Sequence, residues 1–154
     1  MSFLVKIRKV QYYLNTSIDK SWYIKARIQH AKNLTDDKQL TLGGETGLRG
    51  YPMHYQHGDR SFLFSLEKRY YWEYDLLQLF KVGGAGFLDI GRAWFNGKNN
   101  GENNHVLKNV GVGLRLAPSR ANAGTMIHID VAAPLDSDGD ADSVQWLVNV
   151  KKSF

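Results

Sequence analysis

The sequence predicts an all-β fold: an antiparallel, up-and-down transmembrane β-barrel wall of about seven or eight strands. Three observations predict it. Apolar residues recur at every second position, and no useful length of chain carries the 3.6-residue period of a helix. Short turns alternate with long connections, the habit of barrels with short inner turns and long outer loops. Tyr12, Tyr13, Trp22, Tyr23, Tyr70, Tyr71, Trp72, Tyr74, Trp94 and Phe95 fall near strand ends, where interfacial aromatic girdles sit.

The first strand is expected at about 2–14, with Phe3, Val5 and Ile7 on one side and Lys6 and Arg8 on the other. Residues 15–20 make a short turn. In the second strand, about 21–33, Trp22, Ile24, Ala26 and Ile28 alternate with Tyr23, Lys25, Arg27 and Gln29. A glycine-rich loop follows, over 34–58. The third strand, about 59–72, puts Phe62, Phe64, Leu66 and Tyr70 on one face and Ser65, Glu67 and Arg69 on the other. Glu73-Tyr74-Asp75 is read as its turn. The fourth strand, about 76–95, is long and runs through Gly83-Gly84-Ala85-Gly86 and Phe87-Leu88-Asp89-Ile90-Gly91. A polar Asn/Gly-rich loop spans 96–105. In the fifth strand, about 106–117, Val110, Val112, Leu114 and Leu116 oppose Gly111, Gly113 and Arg115. In the sixth, about 124–133, Thr125, Ile127, Ile129 and Val131 oppose His128 and Asp130. An acidic loop covers 136–142. The last strand, about 143–154, carries Val144, Trp146, Val148 and Val150 on one face and Gln145, Asn149 and Lys151 on the other.

The bulk numbers fit this reading. The chain has 154 residues, enough for one domain. Its formal charge is +5, but the cations are spread along the strands, so no nucleic-acid arm is expected. There is no cysteine, which excludes a disulfide framework and cysteine-rich zinc sites and suits passage through an oxidising periplasm. No apolar run approaches the ~20 residues of a membrane helix. The mean hydropathy of -0.40 is also what a barrel gives, because only alternate residues face lipid. Met1 to Lys6 runs straight into a strand pattern with no signal peptide, so the start of an outer-membrane gene product is expected to lie elsewhere. Alternation alone does not separate a barrel from a soluble sandwich. The polar face, with Glu67, Arg69, Asp89, Arg115, His128, Asp130 and Asn149 among glycines, and the placement of the aromatics favour the barrel.

One stretch does not fit a connector. Leu42 to Pro52 holds four glycines and a single cation, Arg49. A hairpin would need only a turn pair such as Asn-Gly. Glycine-dense backbone bends cheaply and approaches other backbone closely.

Other constellations carry less. Counted from Asp136, the acidic loop has Ala141 and Leu147 where a calcium-binding EF-hand needs Gly and Glu. His54 and His57 have no third ligand in sight. Gly83 to Gly86 lacks the Lys-Ser/Thr of a phosphate loop and reads as a strand kink or a place where the loop packs close. No Gly-x-Ser-x-Gly elbow occurs. No enzyme activity, cofactor or metal is expected.

Leu42-Gly43-Gly44 with Leu48-Arg49-Gly50-Tyr51 resembles the sixth external loop of the outer-membrane assembly-factor superfamily, the BamA/TamA-like bacterial surface-antigen barrels. Relatives include two-partner secretion pores and barrels attached to patatin-like lipases. Later segments agree in order: Glu67-Lys68-Arg69, then Phe87-Leu88-Asp89-Ile90-Gly91, then Gly111-Val112-Gly113-Leu114-Arg115, and an aromatic C-terminus, Phe154, as an assembly signal. The resemblance implies a loop folded back into the lumen, with the Arg49-Gly50-Tyr51 motif against the wall. It implies Glu67, Arg69, Phe87, Asp89, Gly91 and Arg115 as latch partners. Parity agrees, since Phe87, Asp89 and Gly91 share a face, and a carboxylate is tolerable in a lumen but costly in lipid.

The family's barrels have 16 strands, so residues 1–154 would form the C-terminal half, with motif loop 34–58 and wall strands 59–154. Seven antiparallel strands do not close without a parallel pair, and about eight leave no room for a returning loop. The chain is therefore expected to be part of a longer protein or to join copies through open strand edges. The resemblance implies a bacterial outer-membrane location and assistance to insertion or translocation of other proteins. The alternatives are a two-partner-secretion-like pore and a structural, degenerate barrel; a soluble binding sandwich is the outsider. Expected partners are outer-membrane lipid or lipopolysaccharide, client membrane or secreted proteins, and further copies of the chain, but no nucleic acid.

Overall fold

Period-two sequence becomes period-two structure along seven long strands. A computed structural model describes residues 4–32, 39–97, 105–118, 125–136 and 144–152. Phe154 and most of the acidic loop lie outside the described residues. The strands are β1 (Leu4–Ser17), β2 (Lys20–Lys32), β3 (Leu40–Leu42), β4 (Gln56–Gly58), β5 (Arg60–Leu76), β6 (Phe80–Trp94), β7 (Leu107–Pro118), β8 (Thr125–Pro134) and β9 (Gln145–Lys152). One antiparallel sheet runs in the order β1-β2-β5-β6-β7-β8-β9. This is an up-and-down barrel wall. Among the described residues β1 and β9 each pair on one side only, so the sheet is not closed. β3 and β4 form a separate ribbon within the motif loop, so Leu40–Leu42 adds no eighth wall strand.

Directly opposed residues share a face. One face is apolar and exposed: Ile28, Phe64, Val112 and Val150 are 61%, 39%, 66% and 69% exposed. The other face holds Ser61, Glu67, Asp89, Arg115 and Asp130, all buried. Polar residues are therefore more buried than apolar ones, the inverse of a water-soluble domain. The small apolar core lies on the inner side. Leu42, Leu48 and Tyr51 of the loop pack there on Leu63, Ala93 and Leu107 of the wall.

The expected split of β1 holds: Val5 and Ile7 pair with Ala31 and Gln29 on the inner face, and Lys6 and Arg8 lie on the outer one. Two expectations are corrected. The turn expected at Glu73 to Asp75 falls at 77–79 instead. β5 shifts register between Tyr71 and Asp75, and Leu77 and Gln78 take φ of 52° and 57°. Those are hairpin-turn angles normally held by Asn or Gly, so the sequence carries no turn signal there. Finally, Gly83 and Gly84 mark no kink and do not receive the loop. A side chain at Gly83 would meet the Tyr71 ring at 2.6 Å, and one at Gly84 the Trp72 ring at 3.1 Å. Neighbouring rings cover the bare backbone.

Within the loop, Gly43 takes φ 137°, and a Cβ there would collide with the Pro52 carbonyl oxygen. Gly44 N–H donates to the carbonyls of Leu48 and Tyr51 at 2.9 and 2.8 Å, closing the loop on itself. Gly43→Ala is expected to cost about 1–3 kcal/mol of backbone strain. Limited proteolysis checks it: new cleavage within 43–58 with the wall strands still protected.

Candidate functional site

The site is the contact between Arg49 and the inner wall. Arg49 is buried and reaches carboxylates on three strands. Its Nε and Nη2 donate to the two oxygens of Asp89 on β6, both at 2.9 Å. Nη1 donates to Glu67 of β5 at 2.7 Å and to Asp130 of β8 at 3.2 Å. The two-pronged bond to Asp89 fixes the plane of the guanidinium, which a lysine could not reproduce. The guanidinium carbon sits 3.3 Å from the centre of the Phe87 ring, a cation–π stack. Burial disfavours the charged guanidinium, but hydrogen bonds and charge from Asp89, then Glu67, outweigh it and raise its pKa above the ordinary value.

A second layer holds the carboxylates. Arg69 Nε donates to Glu67 at 2.7 Å, and Arg115 Nε to the same oxygen at 3.1 Å. Arg115 also binds Asp130. Asn109 donates to Asp89 at 3.0 Å. Arg69 lies over Tyr23 of β2, 5.2 Å from the ring centre. Three guanidiniums and three carboxylates thus interlock, so the cluster is neutral as a whole. A buried cluster of this kind is tolerable only when every charge is matched. Space for it comes from small residues on β7: side chains at Gly111 and Gly113 would overlap Phe87 and Asp130 respectively.

The rest of the motif fastens the loop further along. A Cβ at Gly50 would stand 2.5 Å from the Asn109 Cβ and 3.1 Å from the Ala133 carbonyl carbon, so only glycine lets the loop come this close. Tyr51 is fully buried; its hydroxyl donates to the Lys108 carbonyl at 2.9 Å. Burial raises the Tyr51 pKa. Gln56 bridges the Ala93 N–H and the His105 carbonyl, each at 3.0 Å. Arg27 of β2 donates to the Thr46 carbonyl at 2.7 Å.

Of the residues singled out from sequence, Glu67, Phe87 and Asp89 touch Arg49 directly, while Arg69 and Arg115 reach it through the carboxylates. Gly91 is not part of this contact. It lies beside Leu42, whose Cδ1 would be 3.5 Å from a Cβ there. Asp130 and Asn109 were missed as partners. Parity puts Asp130 on the polar face, but the register from β6 across to β8 is needed to bring it to Arg49. Beside the loop, a cavity of about 430 Å³ remains, lined by β1, β2, β5, β8 and β9 and including Lys9, Lys25 and Lys151.

A strand wall with a lipid-type outer face and a polar inner face that receives its own loop is the wall of an outer-membrane β-barrel. The family model described as haemolysin secretion/activation protein ShlB/FhaC/HecB matches residues 5–116, and the chain belongs to that family. Its members are Gram-negative outer-membrane transporters, so the chain is an outer-membrane protein. The match supports a barrel of the superfamily that the sequence motifs resemble, and the family it names is the secretion/activation one rather than BamA/TamA. Neither the curated proteins nor the solved structures gave a match.

Proposed function

We propose that the chain forms the loop-bearing wall of a pore that translocates or activates a secreted client protein without enzymatic chemistry. The loop from Gly43 to Gly58 is its plug, and Arg49 is the pin. The supporting observation is the set of four hydrogen bonds from Arg49 to carboxylates on β5, β6 and β8. A plug must be held firmly enough to seal, and one side chain bound to three strands ties the loop to several wall strands at once, alongside the contacts of Tyr51 and Gln56. The test is conductance across a planar lipid bilayer. Deleting residues 44–55 is expected to convert a mostly closed pore into a steadily open one. Unchanged conductance would remove the plug.

The order of short motifs along the chain favours a second reading, a BamA/TamA-like factor that assists insertion of membrane proteins. Folding of a test barrel into vesicles discriminates between them. Acceleration by this protein supports insertion; conductance without acceleration supports the pore.

A further inference from the structure

The outer face carries charges that neither a plug nor a pore explains. Paired rows run across four adjacent strands near the long-loop end of the wall. One row is Lys6, His30, Arg60 and Trp94; the next is Arg8, Ile28, Phe62 and Arg92. Lys32 extends the first row outward, opposite Leu4. The five cations, Lys6, Arg8, Lys32, Arg60 and Arg92, all lie within five residues of the end of a strand. Lys6, Arg8 and Lys32 are exposed, and Arg60 and Arg92 are half-buried. Arg92 stacks 5.5 Å from the Trp94 ring centre, and Trp94 packs edge-on against Phe62 at 6.1 Å.

The sign of these charges is one-sided. Glu67, Asp89 and Asp130 all face inward. Among the described side chains of the wall strands, no carboxylate shares the outer face. Lys108, further round on β7, does have Asp136 at 4.0 Å, both about half exposed. Cations turned towards a membrane are costly unless they lie near its surface and find anions there. Long connections mark this end as the outer one, facing the external leaflet. Immediately below the rows the face is apolar, with Ala26, Phe64 and Ile90 side by side.

The geometry points to a binding site for a phosphorylated glycolipid of the outer leaflet, lipopolysaccharide, on the outer rim of β1, β2, β5 and β6. Its phosphates meet the two cationic rows. Arg8 and Arg60 suit this task because a planar guanidinium grips phosphate oxygens in pairs. Its acyl chains lie along Phe62, Phe64 and Ile28. A free phosphate would gain nothing from the apolar surface beneath, which is why the lipid-borne form is the occupant.

The test uses the outer-membrane protein purified in mild detergent, with lipopolysaccharide retention measured by native mass spectrometry. Wild type is expected to retain lipopolysaccharide, and Lys6→Gln/Arg8→Gln/Arg60→Gln to lose it at least ~10-fold, about 0.5 kcal/mol or more per removed cation on the tenfold-per-1.4 kcal/mol scale. Lys20→Gln, at the opposite end of the wall, should retain it like wild type. Equal retention by the triple variant overturns the site. Should the triple variant not fold, wild type alone decides. Enzymatically dephosphorylated lipopolysaccharide should bind at least ~10-fold more weakly than the intact form, and equal binding overturns the proposal. Full competition by millimolar inorganic phosphate overturns the lipid assignment. Loss of plug function in the Arg49 variants leaves retention unchanged, so the two readings fail separately.

Discussion

Arg49→Ala is expected to release the loop from the wall and to lower resistance to unfolding by about 3–5 kcal/mol, the range for breaking a buried pair from one side. The cause is what remains. Asp89 and Asp130 stay buried, at 0% and 1% exposure, but the cluster then has three carboxylates and two guanidiniums. Water entering where the loop stood will relieve part of this, so the wall persists while the loop loosens. Thermal melting in detergent, read as the heat-induced mobility shift on a gel, checks the first effect. Protease cleavage within 43–58 checks the second. Coupling is measured by a double-mutant cycle with Asp89→Ala. Contacting partners give about 0.5–3 kcal/mol, so additive single effects would mean that the pair is not coupled. Arg49→Lys keeps the charge and loses the two-pronged geometry; it is expected to recover only part of the stability.

Much of this was legible in the sequence, for a definite physical reason. A period of two puts every second residue on one face, so Phe87 and Asp89 could be assigned to one side with no knowledge of the sheet. The same rule placed Glu67 and Arg69 together. It does not say which face is the inner one. Val5, Ile7, Lys6 and Arg8 alternate cleanly, but in the reverse sense: the apolar pair faces inward, and only pairing with Ala31 and Gln29 reveals it. The outer cationic rows were illegible for that reason. Turn chemistry fails where the residues are atypical, as with positive φ at Leu77 and Gln78. Parity also says nothing about depth. That Asp130 lies level with Arg49, while Gly91 lies beside Leu42, is decided by register across several strands.

Glu67→Gln is the sharpest test of whether charge balance holds the cluster. Glu67 accepts from Arg49, Arg69 and Arg115, more guanidiniums than Asp89 or Asp130 serves. Glutamine keeps the shape and most of the volume. It leaves three guanidiniums against two carboxylates, with one unmatched charge buried in the wall. The expected loss is about 3–5 kcal/mol, as for other one-sided breaks of buried pairs. Arg69 is the natural compensator, because Glu67 is its carboxylate contact, whereas Arg49 and Arg115 keep Asp89 and Asp130. Glu67→Gln/Arg69→Gln restores neutrality and should regain at least half of the lost melting resistance. The remainder reflects the lost stacking of Arg69 on Tyr23. A double variant no more stable than Glu67→Gln alone would mean that geometry, not net charge, sets the cost. In that case the two-pronged Arg49–Asp89 geometry would keep the arginine seated, and conductance in Glu67→Gln should stay closed. If charge balance governs, the same variant opens the pore as Arg49→Ala does.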